Sequence, residues 1–130
     1  MMEELVKRYY LENDFNCAEA MMHAANEAYQ LNLSEETFHA FSGFGGGCGC
    51  GNLCGAVAAG VAVIGAVKTK TVAHETPGLS AATTAFIRKF KTAMGSEQCK
   101  MLKAKYTGED RCLRVVTAAA SALREVLERD

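Results

Sequence analysis

The chain has 130 residues, six of them cysteine, with a formal net charge of -1 and 49% hydrophobic against 22% charged residues. That length and balance describe one domain, residues 1–130, with enough apolar content to bury a core, and they exclude a disordered or strongly charged polymer. The N-terminal stretch reaches Glu3 and Glu4 at once and has no apolar leader core, so the expected location is the cytoplasm.

Charge is unevenly spread: residues 1–40 hold eight acids against two bases, and residues 68–105 hold eight bases against two acids. Such polarity could pair regions of the fold or subunits, and a solvated surface is the plainer reading. The longest apolar run, Leu53 to Val67, is 15 residues with three glycines, too short for a membrane span and long enough for a buried helix.

Periodicity predicts an all-α, compact bundle of about five to six helices. A first helix is expected over Glu3 to Leu11. Asp14 is the expected cap for an amphipathic helix from Phe15 to Tyr29, in which Cys17, Ala18, Met21, Met22, Ala25 and Ala28 keep helical spacing. Ser34 caps a short third helix to about Phe41. A glycine-rich loop follows, and Asn52 is placed to cap a central helix, Leu53 to Val67, apolar on every side. Lys68 to Gly78 reads as a polar loop. Ser80 opens a helix to Met94 with Phe86, Phe90 and Met94 four apart, Ser96 opens a short helix to Lys105, and Asp110 opens a last one to Glu128.

On this map Cys17, Cys54, Cys99 and Cys112 each fall in the first turn of a helix. Unsatisfied amides and the positive dipole end there favour the thiolate, the form that binds metals and attacks disulfides. Cys48 and Cys50 lie in the glycine loop, in a C-x-C-x3-C run ending at Cys54, either as additional ligands, as exchanging thiols, or as small residues tolerated beside glycine. Permanent disulfides are not expected of a cytoplasmic chain.

No C-x-x-C occurs, which excludes a thioredoxin-type pair, and no C-x-x-C-H for covalent haem. The glycine loop lacks both phosphate-loop and dinucleotide-binding patterns, so no nucleotide is expected, though its amides could hold a small anion. His23 lies six residues after Cys17, but a lone histidine is more often structural than a ligand. The basic residues Arg88, Lys89, Lys91, Lys100, Lys103 and Lys105 lack aromatic interleaving, so no nucleic acid is expected.

Asn16-Cys17-Ala18, the loop Gly43 to Gly47, Cys54-Gly55-Ala56, and then Cys99 and Cys112 resemble the C_GCAxxG_C_C family of cysteine-motif proteins, over nearly the whole chain. Where the family usually has its next glycine this chain has Ala59, with Gly60 one residue later, and Cys48 and Cys50 are additions. The resemblance implies an all-helical domain with a redox or metal-binding role. It extends to part of the split-Soret cytochromes, which carry an iron-sulfur centre, but the haem motif of those proteins is missing.

Three functions are open at this level. Cys17, Cys54, Cys99 and Cys112 could hold an iron-sulfur cluster or other soft metal for electron transfer, with Cys48 and Cys50 as further candidates. Alternatively, Cys54 is the nucleophile of a dithiol/disulfide oxidoreductase resolved by Cys99, Cys112 or a loop cysteine, serving a redox partner protein. The third is a non-catalytic helical module that associates through apolar helices as a homodimer.

Overall fold

The computed structural model describes residues 1–129; Asp130, the last residue of the expected 1–130 unit, lies outside them. Seven α-helices follow one another: α1 (Met2–Glu12), α2 (Cys17–Tyr29), α3 (Glu35–Ala40), α4 (Gly55–Lys68), α5 (Leu79–Met94), α6 (Cys99–Tyr106) and α7 (Leu113–Leu127), and no β-strand is present among the described residues. The all-α class is as expected. The number exceeds the expected five to six because α3 and α6, of six and eight residues, each stand as separate helices. Helices that short persist through tertiary contacts rather than through propensity.

The helix α4 is the centre. It packs on α2, α5 and α7, while α1 closes the other side against α2 and α7. Met21 and Met22 of α2, Ile64 of α4, Phe86 and Phe90 of α5 and Leu123 of α7 are fully enclosed, each stabilising the fold by roughly 1.5–3 kcal/mol through burial. Gly60 lets α5 come close, since a Cβ there would stand 2.6 Å from Phe86 Cε2. The expected central place of this all-apolar segment holds, with Ala66 exposed and Val61, Ala62 and Gly65 half-buried on its open side.

The helix starts differ from expectation in an instructive way. Asp14 does not cap α2; it takes a left-handed φ of 56°, and Asn16 caps instead. Asn16 Oδ1 accepts from the Glu19 amide at 2.9 Å, and the Asn16 amide donates to Glu19 Oε1 at 3.0 Å, a reciprocal capping box. Ser34 caps α3 as expected. The cap positions of α4 and α7 are occupied by Cys54 and Cys112 themselves rather than by Asn52 or Asp110, and α5 begins after Gly78 rather than at Ser80. Gln98 holds the cap position of α6, with Ser96 Oγ accepting from the Gln98 amide at 3.0 Å in the turn before it.

Candidate functional site

Between Phe41 and Cys54 the chain makes two tight turns, Ser42–Phe44 and then Gly47–Gly51, the second closed by the Asn52 amide donating to the Gly47 carbonyl at 2.9 Å. Gly47 has no substitute there. Its φ is +64°, and a Cβ would stand 2.6 Å from both the Asn52 backbone and Cys99 Cβ. The glycine loop is thereby pressed onto the start of α6.

The next residues pair with the segment before α6. Leu53 and Gln98 form an isolated antiparallel bridge, in which the Cys54 amide donates to the Glu97 carbonyl at 2.8 Å and the Cys99 amide to the Asn52 carbonyl at 2.6 Å. That bridge holds the starts of α4 and α6 together. At the other side, Tyr10 of α1 fixes the start of α7: its hydroxyl accepts from the Cys112 amide at 3.1 Å, and its carbonyl accepts from Arg111 Nη2 at 2.7 Å. The Arg111 guanidinium also lies 4.1 Å from the centre of the Tyr10 ring.

Four helix N-termini therefore surround one cavity of about 370 Å³, and Cys17, Cys54, Cys99 and Cys112 all line it. Cys17 and Cys99 are the first residues of α2 and α6, and Cys54 and Cys112 hold the cap positions of α4 and α7. Tyr10, Asn16, Thr107, Lys103 and Arg111 complete the polar wall, Leu102 and Val115 the apolar one, and none of these residues is acidic. As the thiols stand, no three His, Cys, Asp or Glu side chains among the described residues surround a single point closely enough to hold an ion. All six cysteines are free.

The electrostatics separate Cys17 from Cys54. A hydrogen bond from the Cys54 thiol, assisted by the Ala56 and Ala18 amides against the effect of burial, lowers Cys17 from the ordinary thiol value to about 7. The same bond, with burial and the Cys17 charge, pushes Cys54 far up. Of the two, Cys17 is the more readily deprotonated and Cys54 the one that keeps its proton. Burial raises Cys99, partly offset by the Lys103 ammonium, and burial likewise raises Tyr10.

The additional cysteines lie elsewhere. Cys48 and Cys50 are exposed on the Gly47–Gly51 turn and do not line the cavity, and Cys50 Sγ donates to the Gly47 carbonyl at 3.7 Å. His23 is not part of the cavity wall either; its ring is stacked between Phe15 and Phe38, with centroids 4.4 and 3.9 Å away. The wall residues the sequence did not single out are Tyr10, Lys103, Thr107 and Arg111. Lys103 had a local signal, standing four residues after Cys99 on the same helix face, and Arg111 is next to Cys112; Tyr10 had none.

No curated protein and no solved structure matches this chain. The sequence profile of one family, C_GCAxxG_C_C, described as "Putative redox-active protein", matches residues 15–126. That span includes all four cavity cysteines and every helix but α1. By this match over most of its length, the chain belongs to the C_GCAxxG_C_C family.

Proposed function

We propose that the cavity is a four-thiolate redox centre in which Cys17, Cys54, Cys99 and Cys112 hold an iron-sulfur cluster or another soft metal for electron transfer. The observation that carries this reading is that all four cysteines line one cavity, each from the start of a different helix. A dithiol alone needs no space between its sulfurs, whereas a cavity of about 370 Å³ between four thiols provides room for an inorganic group. The donor set fits: four sulfurs and no carboxylate in the wall suit a soft ion, and Lys103 and Arg111 offset thiolate charge. When bound, such a centre stores and releases an electron. The chain's own residues favour the Cys17 thiolate with helix-start amides, keep acids out of the wall, and hold Cys54 and Cys99 together through the Leu53–Gln98 bridge.

Purification without oxygen, with iron and sulfide analysis and an absorption spectrum, tests the reading. Metal content lost in Cys99→Ser and Cys112→Ser supports it. A colourless, metal-free protein that also resists reconstitution rules it out.

A second reading is favoured by the Cys17–Cys54 hydrogen bond. In a dithiol oxidoreductase, the Cys17 thiolate attacks the disulfide of a redox partner protein, one partner sulfur leaves as thiol, and Cys54 then displaces the other to give a Cys17–Cys54 disulfide. Cys54→Ser should trap the Cys17 mixed disulfide, and its absence would count against this chemistry.

A further inference from the structure

The cavity leaves one cysteine pair without a role. Cys48 and Cys50 are exposed and free, in the run Gly47-Cys48-Gly49-Cys50-Gly51. The backbone is left-handed at Gly46, Gly47, Cys48 and Gly49, with φ of 66°, 64°, 61° and 75°. Glycine meets no steric resistance there, and Cys48 keeps a side chain at a position that disfavours one.

The turn also brings the two thiols within reach of each other. Gly49, at φ 75° and ψ 0°, folds the chain so that standard covalent geometry separates the Cα atoms of Cys48 and Cys50 by about 5 Å. That Cα separation lies inside the usual disulfide range, whereas an extended strand would hold them ~7 Å apart; the Cβ atoms, about 5 Å apart by the same geometry, must draw together by about 1 Å for the bond to form, a shift that the flanking glycines permit. The same dihedral angles send both Cα–Cβ bonds off one side of the turn. Its base is fixed, by the Asn52 amide on the Gly47 carbonyl and by Gly51 packed on Lys100 Cβ, while a Cβ at Gly49 would meet nothing within 4 Å. The tip is open to an incoming molecule.

We propose that the Gly47–Gly51 turn is a second, solvent-facing redox site, a C-x-C dithiol arranged to close into a Cys48–Cys50 disulfide by reducing a low-molecular-weight disulfide. Cys50 donates its S–H to the Gly47 carbonyl, so Cys48 attacks first. The Cys48 thiolate displaces one half of the small disulfide as thiol and forms a mixed disulfide. Cys50 gives its proton to solvent, attacks the Cys48 sulfur and expels the other half. Two protein thiols become one disulfide, and the small disulfide takes both electrons to become two thiols. This site does not depend on what the cavity holds.

The test uses the reduced full-length protein with glutathione disulfide, acid quenching and peptide mass mapping. The expected result is a loop peptide that loses two hydrogens on the order of ten times faster than any cavity cysteine reacts. In Cys50→Ser a glutathione adduct should persist on Cys48, and Gly49→Ala, which strains the turn without a clash, should slow closure several-fold. Wild type carrying separate adducts on both cysteines, or Cys50→Ser without an adduct on Cys48, would overturn the proposal. Iron content of the Cys48→Ser/Cys50→Ser variant equal to wild type supports two separate sites, and loss of iron there overturns the separation.

Discussion

The Cys17 sulfur rests against Gly55: a Cβ at 55 would stand 2.8 Å from Cys17 Sγ and 2.8 Å from the Phe44 carbonyl oxygen. These are the first residues of α2 and α4, so a single missing methyl group lets two helix starts share one sulfur. Gly55→Ala must displace Cys17 or the backbone at Phe44. The expected destabilisation is about 1–3 kcal/mol, that of an overpacked site. Urea unfolding checks it, and a variant as stable as wild type would show that the space is larger than the structure has it.

The Cys17–Cys54 hydrogen bond predicts a pH profile. With Cys17 lowered to about 7, its alkylation in metal-free protein should reach half its maximal rate near pH 7, well below an ordinary thiol. The bond from Cys54 is the first cause, so Cys54→Ala should move that midpoint upward and Cys99→Ala should leave it nearly in place. Rates of iodoacetamide labelling at Cys17, followed by peptide mass spectrometry from pH 5 to 10, decide the matter. A midpoint indifferent to Cys54→Ala would assign the lowering to the amides of Ala18 and Ala56 alone.

Local pattern was enough to read α2, α5 and α7, where Met21, Met22, Phe86, Phe90, Val116 and Leu123 repeat at helical spacing and are all buried. It was also enough to find the four cavity cysteines, because helix starts have sequence signals. It misplaced the starts themselves. Asp14 and Asn52 are good capping residues by type, yet the α2 cap is decided by Asn16 reaching Glu19 and also the Ser42 carbonyl, and the α4 start by the Leu53–Gln98 bridge. The Ser42 contact and the bridge are tertiary, whereas the Asn16–Glu19 capping box is local and stands in the sequence as Asn16-x-x-Glu19. Tyr10 was invisible because its hydroxyl meets an amide 102 residues away.

Glu3 predicts how the fold responds to acid. Burial alone would raise its carboxyl, but hydrogen bonds from Ser121 and Arg124, at 2.7 and 3.0 Å, outweigh that and hold it at about 2. A carboxyl depressed in the folded state contributes stability that is complete above its unfolded value, 4.5, and is lost as pH falls toward 2. Glu3→Gln should therefore be less stable than wild type at pH 7 by about 1 kcal/mol, the scale of a partly exposed charge-assisted contact. The difference should shrink between pH 5 and 2. Urea midpoints across that range measure it, and a constant gap would place the effect in packing instead.

The Tyr10 contacts make α1 part of the cavity although it precedes the family match, which starts at residue 15. Tyr10→Phe keeps the ring under Arg111 and the carbonyl that Arg111 Nη2 reaches, and removes only the hydroxyl that accepts from the Cys112 amide. That amide would be left without its partner at the start of α7, for a loss of about 1 kcal/mol in unfolding stability. The more telling readout is local. Freed from Tyr10, the α7 start should open more often, and Cys112 should alkylate several-fold faster while the pH midpoint of Cys17, fixed from α4, stays where it is. Tyr10→Leu, which also removes the ring from beneath the Arg111 guanidinium, should accelerate Cys112 further. Equal acceleration of Cys17 and Cys112 would mean that the whole fold had loosened, and no acceleration of either would mean that α7 keeps its start without help from α1.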